Sequence, residues 1–65
     1  MKYDLVDVNG NAFSVMCYVL KAMKECGFNR TEQGIYVERA KSGDYNNLLC
    51  ESSEMIAKCN EICSD

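Results

Sequence analysis

The run Gly10-Asn11-Ala12-Phe13-Ser14-Val15-Met16-Cys17-Tyr18-Val19-Leu20-Lys21-Ala22-Met23-Lys24-Glu25-Cys26-Gly27 decides the fold, because the most apolar segment of the chain lies between a turn signal and a glycine. Ser14, Tyr18, Lys21 and Glu25 recur at spacings of four, three and four, which is one face of a helix. Opposite them lie Phe13, Met16, Cys17, Leu20 and Met23 on one flank and Ala12, Val15, Val19, Ala22 and Cys26 on the other. Asn11 is suited to accept from the free amides of a first turn, and Gly27 to take the left-handed conformation that ends a helix. A helix over about residues 11–26 follows. Asn9-Gly10 is also a strong hairpin signal, and Phe13, Val15, Tyr18 and Val19 have β propensity, so a hairpin into residues 12–20 is the competing arrangement. The apolar arc is wider than one neighbouring helix would cover, which makes this helix the expected seat of an interface as well as of the core.

Before it, Tyr3, Leu5 and Val8 alternate with Asp4 and Asp7, and this predicts a short strand over about residues 2–8 that ends in Asn9-Gly10. After it, a second helix is expected over about 31–42. Either Thr31 caps it, or Asn29 does so with Glu32 three residues on as a capping-box variant. Its apolar content is Ile35, Tyr36, Val37 and Ala40, and Gly34 weakens it by up to ~1 kcal/mol relative to Ala, so it is expected to lean on the first helix. Gly43 stops it. Asp44 is a strong N-cap for a third helix over about 44–63, where Tyr45, Leu48, Leu49, Ser52, Met55, Ile56, Cys59, Ile62 and Cys63 form a core-facing stripe. Glu51, Glu54, Lys58 and Glu61 face outward.

The expected fold is therefore mainly α: one small helical domain over residues 1–65, a three-helix unit with a short N-terminal strand. A chain of 65 residues buries only roughly 60% of the surface its unfolded form exposes, so the core needs reinforcement. Strand pairing across a two-fold axis would occupy the exposed strand backbone and enlarge the core, which makes a homodimer the expected state. The candidate interface residues are Tyr3, Leu5, Phe13, Met16, Leu20, Met23 and Tyr45.

Five cysteines (Cys17, Cys26, Cys50, Cys59, Cys63) would suggest a disulfide scaffold in a secreted protein. The N-terminal residues, with Asp4 and Asp7, do not read as a signal peptide, and no stretch approaches a membrane span, so a cytoplasmic setting is expected. There the thiols are expected to act as small core hydrophobes. In the same setting the sequon Asn29-Arg30-Thr31 is a chance occurrence. The net charge of −3 comes from the C-terminal segment, where Glu51, Glu54, Glu61 and Asp65 face Lys58 alone; residues 1–50 hold six acids and six bases. With no basic cluster, nucleic acid is a poor match for this surface.

Chemistry finds little support in the residues. Asp7-Val8-Asn9-Gly10-Asn11 begins like a calcium loop, but the sixth position is Ala12 rather than Gly and the twelfth is Tyr18 rather than Glu. A thiolate zinc site would need Cys17, Cys26 or Cys50 to converge with Cys59 and Cys63, and a Cys59–Cys63 redox pair lacks the usual C-x-x-C spacing. No cofactor or metal is expected. There is no histidine, hence neither the commonest general base nor a partner for a cysteine nucleophile, and no catalytic residue is expected. The joint from Ala40 to Asn47 has the look of a helix-turn-helix connection, in which Asn46 and Asn47 would read base edges. Lys58 is the only base on the helix that follows.

Asn9-Gly10-Asn11-Ala12-Phe13, together with Ala40-Lys41-Ser42-Gly43-Asp44-Tyr45-Asn46-Asn47-Leu48-Leu49, resembles the pattern of a group of short uncharacterised proteins of phages and bacterial mobile elements. The spacing between the two segments also fits, so the likeness spans most of the chain. The resemblance implies a small intracellular protein of bacterial or phage origin and carries no activity with it. The extra cysteines and the Cys-rich end depart from the pattern. Taken together, these residues point to a non-enzymatic protein–protein interaction module that binds a second copy or a host protein. A nucleic-acid-linked regulator and a cysteine-based metal or redox module are the alternatives.

Overall fold

In the computed structural model, which describes residues 3–6, 8 and 10–63, the chain is mainly helical. Helix α1 spans Ala12–Glu25, α2 Arg30–Lys41 and α3 Tyr45–Ile62. The stretch 12–20 is helical, so the hairpin does not form.

The ends of each helix follow from side chains that supply missing backbone partners. Asn11 Oδ1 accepts from the amides of Phe13 (2.8 Å) and Ser14 (3.4 Å) at the start of α1. At its other end Gly27 has φ of +88°, the Phe28 amide donates to the Met23 carbonyl and the Gly27 amide to the Lys24 carbonyl. This is a Schellman closure, and it needs a residue without Cβ strain at Gly27. Asn29, not Thr31, caps α2: its Oδ1 accepts from the Glu32 amide at 2.8 Å while the Glu32 carboxylate accepts from the Asn29 amide. Two orphan donors are met this way against one for a threonine cap. Asp44 caps α3 through the Asn47 amide.

The core runs through Tyr3, Val19, Ala22, Met23, Tyr36, Ala40, Leu48, Ile56 and Cys59. From α1 it draws on the Val15, Val19 and Ala22 flank together with Met23, so the flank of Phe13, Met16, Cys17 and Leu20 is left at the margin. Helix α2 does not lean chiefly on α1 as expected; α3 packs extensively against both other helices, while α1 and α2 touch little. The reason lies in the few buried residues of α2. They are Tyr36 and Ala40, and Tyr36 reaches α3, where its hydroxyl and Ser52 Oγ share a fully buried hydrogen bond of 2.6 Å. Ser52 therefore keeps its place in the apolar stripe of α3 because its hydroxyl has a buried partner.

No strand forms among the described residues of the N-terminal segment. Residues 2 and 7 of the expected strand lie outside those described. Instead the Asn60 side-chain amide grips Tyr3 at both backbone atoms: the Tyr3 amide donates to Asn60 Oδ1 (2.8 Å), and Asn60 Nδ2 donates to the Tyr3 carbonyl (3.0 Å). The Asp4 amide donates to the Tyr18 hydroxyl and the Val6 amide to Asp4 Oδ1, so the segment turns along α1 and α3.

Candidate interaction surface and the cysteine end

The seven expected interface residues separate into three groups. Tyr3 (6% exposed) and Met23 (fully buried) belong to the chain's own core, so neither offers a surface. Leu5, Met16 and Leu20 are half-buried against that core. Phe13, 70% exposed, and Tyr45, 42% exposed, stand at the end where α1 begins. Tyr45 is tied down there, its hydroxyl donating to the Gly10 carbonyl. Phe13, Met16, Cys17 and Leu20 fall at i, i+3, i+4 and i+7, so the outer flank of α1 carries a continuous apolar stripe. Cys17 is exposed within it, and Lys21 and Lys24 continue the exposed side toward the end of the helix.

The opposite end gathers the chemistry. Cys26 and Cys63, the residues that close α1 and α3, form a disulfide with Cα atoms 5.8 Å apart. This corrects the expectation of core thiols in four of five cases: Cys26 and Cys63 are paired, and Cys17 and Cys50 are exposed. Only Cys59 is a buried free thiol, and burial pushes its pKa up. Helical periodicity had put Cys59 and Cys63 on one face, but the Cys63 sulfur meets the end of α1 instead. Cys26 Sγ also lies 3.5 Å from the Cys59 carbonyl oxygen and 3.8 Å from Tyr3 Oη. Among the described residues no group of three or more His, Cys, Asp or Glu side chains is arranged to hold a metal ion. Asp7 and Asn9 of the calcium-like loop lie outside those residues.

Tyr3 completes this end. Its hydroxyl donates to Glu25 Oε1 at 2.8 Å, and burial together with the Glu25 carboxylate pushes its pKa up from 10.0 to about 12. The fold thus prefers the neutral phenol. The corresponding stability is fully present below pH 10, where the unfolded phenol is also neutral, and is lost as the pH rises toward about 12. Urea midpoints should fall across that window, and Tyr3→Phe should flatten the fall. Tyr36 and Cys59, also shifted upward by burial, contribute to the same alkaline loss.

The joint between α2 and α3 uses its asparagine internally. Asn47 Nδ2 donates to the Arg39 carbonyl (2.8 Å), which also accepts from the Ser42 hydroxyl, and so helps close the end of α2. Asn46 is exposed. A shallow groove of about 190 Å³ runs between α2 and α3, with Phe28, Ile35, Tyr36 and Met55 as apolar lining and Glu32, Arg39, Glu51, Glu54 and Lys58 as charged lining. Among the described residues no helix is long and apolar enough to cross a membrane. Sequence reasoning missed the Asn60 clamp and the Cys26–Cys63 pair, since each joins residues far apart in the chain, and only the choice of Asn at position 60 inside a helix hinted at the first. Compared with protein-family models, curated proteins and solved structures, the chain has no match.

Proposed function

We propose that the protein is a non-enzymatic interaction module that associates with a second copy of itself through the outer flank of α1. The observation that carries this reading is Phe13, a large apolar side chain 70% exposed at one end of the Phe13, Met16, Cys17 and Leu20 stripe. Anchors at i, i+3, i+4 and i+7 are the pattern by which one helix lies against another, and a large exposed aromatic among them supplies contact area at little entropic cost. The core takes the other flank of α1 and half-covers Met16 and Leu20, so Phe13 and Cys17 are the fully exposed members of the stripe. Two copies related by a two-fold axis would lay α1 against α1. The N-terminal segment has no part in this pairing, because the Tyr3 backbone is already occupied by Asn60. The resemblance noted in the two turn motifs supports a phage or bacterial origin, and a cytoplasmic setting goes with it.

Sedimentation equilibrium at micromolar concentration tests the pairing. The wild-type protein should have twice the chain mass, and Phe13→Lys should return it to the monomer with an unchanged circular dichroism spectrum, because Phe13 lies outside the core. A monomeric wild type would end the proposal.

A further inference from the structure

We propose that the Cys26–Cys63 pair is a reversible redox latch that fastens the N-terminal segment into its seat between the ends of α1 and α3. The segment and the cysteine pair use the same two helix ends. Glu25 and Cys26 at the end of α1 meet Tyr3 through its hydroxyl, with Glu25 Oε1 at 2.8 Å and Cys26 Sγ at 3.8 Å. Asn60, three residues before Cys63 near the end of α3, holds the Tyr3 amide and carbonyl. Tyr3 is therefore seated only while both helix ends keep their spacing, and the disulfide sets that spacing at 5.8 Å between Cα atoms. The last turn of α3 has no basic residue to favour its carbonyl end. Once the sulfur bridge opens, it can fray from Cys63 back to Asn60, and Tyr3 loses its backbone partner. Leu5, half-buried against the core, then leaves the groove it shares with Ser53, Ile56 and Ala57, and Ile56, almost fully buried in the latched form, is uncovered.

The exchange chemistry needs a small thiol of the glutathione class. Its thiolate attacks one sulfur of the pair, forming a mixed disulfide and releasing the other cysteine as a thiolate that takes up a proton. A second small thiol then attacks the mixed disulfide, freeing the remaining cysteine and leaving as the small-molecule disulfide. Cys26 and Cys63 are half-buried and so within reach of such a reagent. Cys59 lies one turn from Cys63 but is fully buried, and burial keeps it as a thiol, so it does not compete for the bond.

Hydrogen exchange read by mass spectrometry or NMR, with disulfide mapping of the same samples, tests the latch. Oxidised protein should yield the Cys26–Cys63 linked peptide and protected amides at Tyr3 and Asp4. In the presence of reduced glutathione that protection should be lost while the Val19 and Met23 amides stay protected, and oxidised glutathione should restore it. A Cys59→Ser variant should respond as the wild type does. The Cys26→Ser, Cys63→Ser double variant should match the reduced state under either condition; reduced wild type makes the same comparison should that variant not fold. A Cys59–Cys63 link, equal protection of Tyr3 and Asp4 in both redox states, or loss of protection reaching Val19 and Met23 equally would each overturn the proposal.

Discussion

Replacing Cys26 and Cys63 together by serine should lower the unfolding free energy by about 4 kcal/mol, the largest loss expected from any exposed or half-buried position. The two residues are 37 apart in sequence, so the bond closes a loop that contains α2 and α3 entirely, and a loop of that size restricts the unfolded chain by roughly that amount. A core in a chain this short contributes only about 3–5 kcal/mol by itself. The bond thus supplies a share comparable with all the packing, which makes it the reinforcement that so small a core calls for. The double variant should still fold, with a melting temperature lower by roughly 20 °C, since each kcal/mol moves a domain of this size by about 4–8 °C. Thermal and urea unfolding followed by circular dichroism, with and without reductant, measures it. Coincident midpoints for wild type and variant without reductant would mean that the bond contributes nothing.

Tyr36→Ala should cost about 3–5 kcal/mol, the range for removing a large aromatic from a core. Tyr36 is the largest fully buried side chain and the main residue by which α2 is attached to α3. Few other residues could hold α2, whose apolar positions are scanty. Tyr36→Phe isolates the hydroxyl. It keeps the ring but leaves Ser52 Oγ, itself fully buried, without its 2.6 Å partner, a loss of about 1–3 kcal/mol. Ser52→Ala should cost a similar amount by stranding the tyrosine hydroxyl. The double variant Tyr36→Phe, Ser52→Ala should be more stable than the sum of the two losses implies, because no polar atom is then stranded. Urea unfolding of the four proteins completes the cycle, and strict additivity would show that the buried hydrogen bond is not a coupled pair.

The helices were legible because the features that set them are local. Asn11, Asp44 and Gly27 do at the helix ends what their residue types allow, and the three-four spacing of apolar residues in α1 and α3 survives in the buried sets Val15, Val19, Ala22, Met23 and Leu48, Ser52, Ile56, Cys59. The excess width of the apolar arc of α1 was also legible, and it reappears as the uncovered Phe13 and Cys17. The alternation around Tyr3 predicts a strand, and an extended segment needs a partner for its amide and carbonyl. That partner is the Asn60 amide, which offers one donor and one acceptor as a neighbouring strand would, from 57 residues away.

The cysteines divide along the same line. Helical spacing puts Cys17 on an apolar flank, and Cys50 shares the general expectation of a core thiol, but a helix buries only the part of its arc that its neighbours reach, and both are left exposed. By itself the sequence determined the three helices, the caps Asn11 and Asp44 and the stop at Gly27, while leaving the start of α2 between Thr31 and Asn29, because caps and periodicity act within a turn or two. Only the tertiary structure decided that α3 lies against both other helices, that Cys26 meets Cys63, and which flank of α1 is left uncovered. Those outcomes depend on the lengths and crossing of whole helices, and no interaction between near neighbours along the chain encodes them.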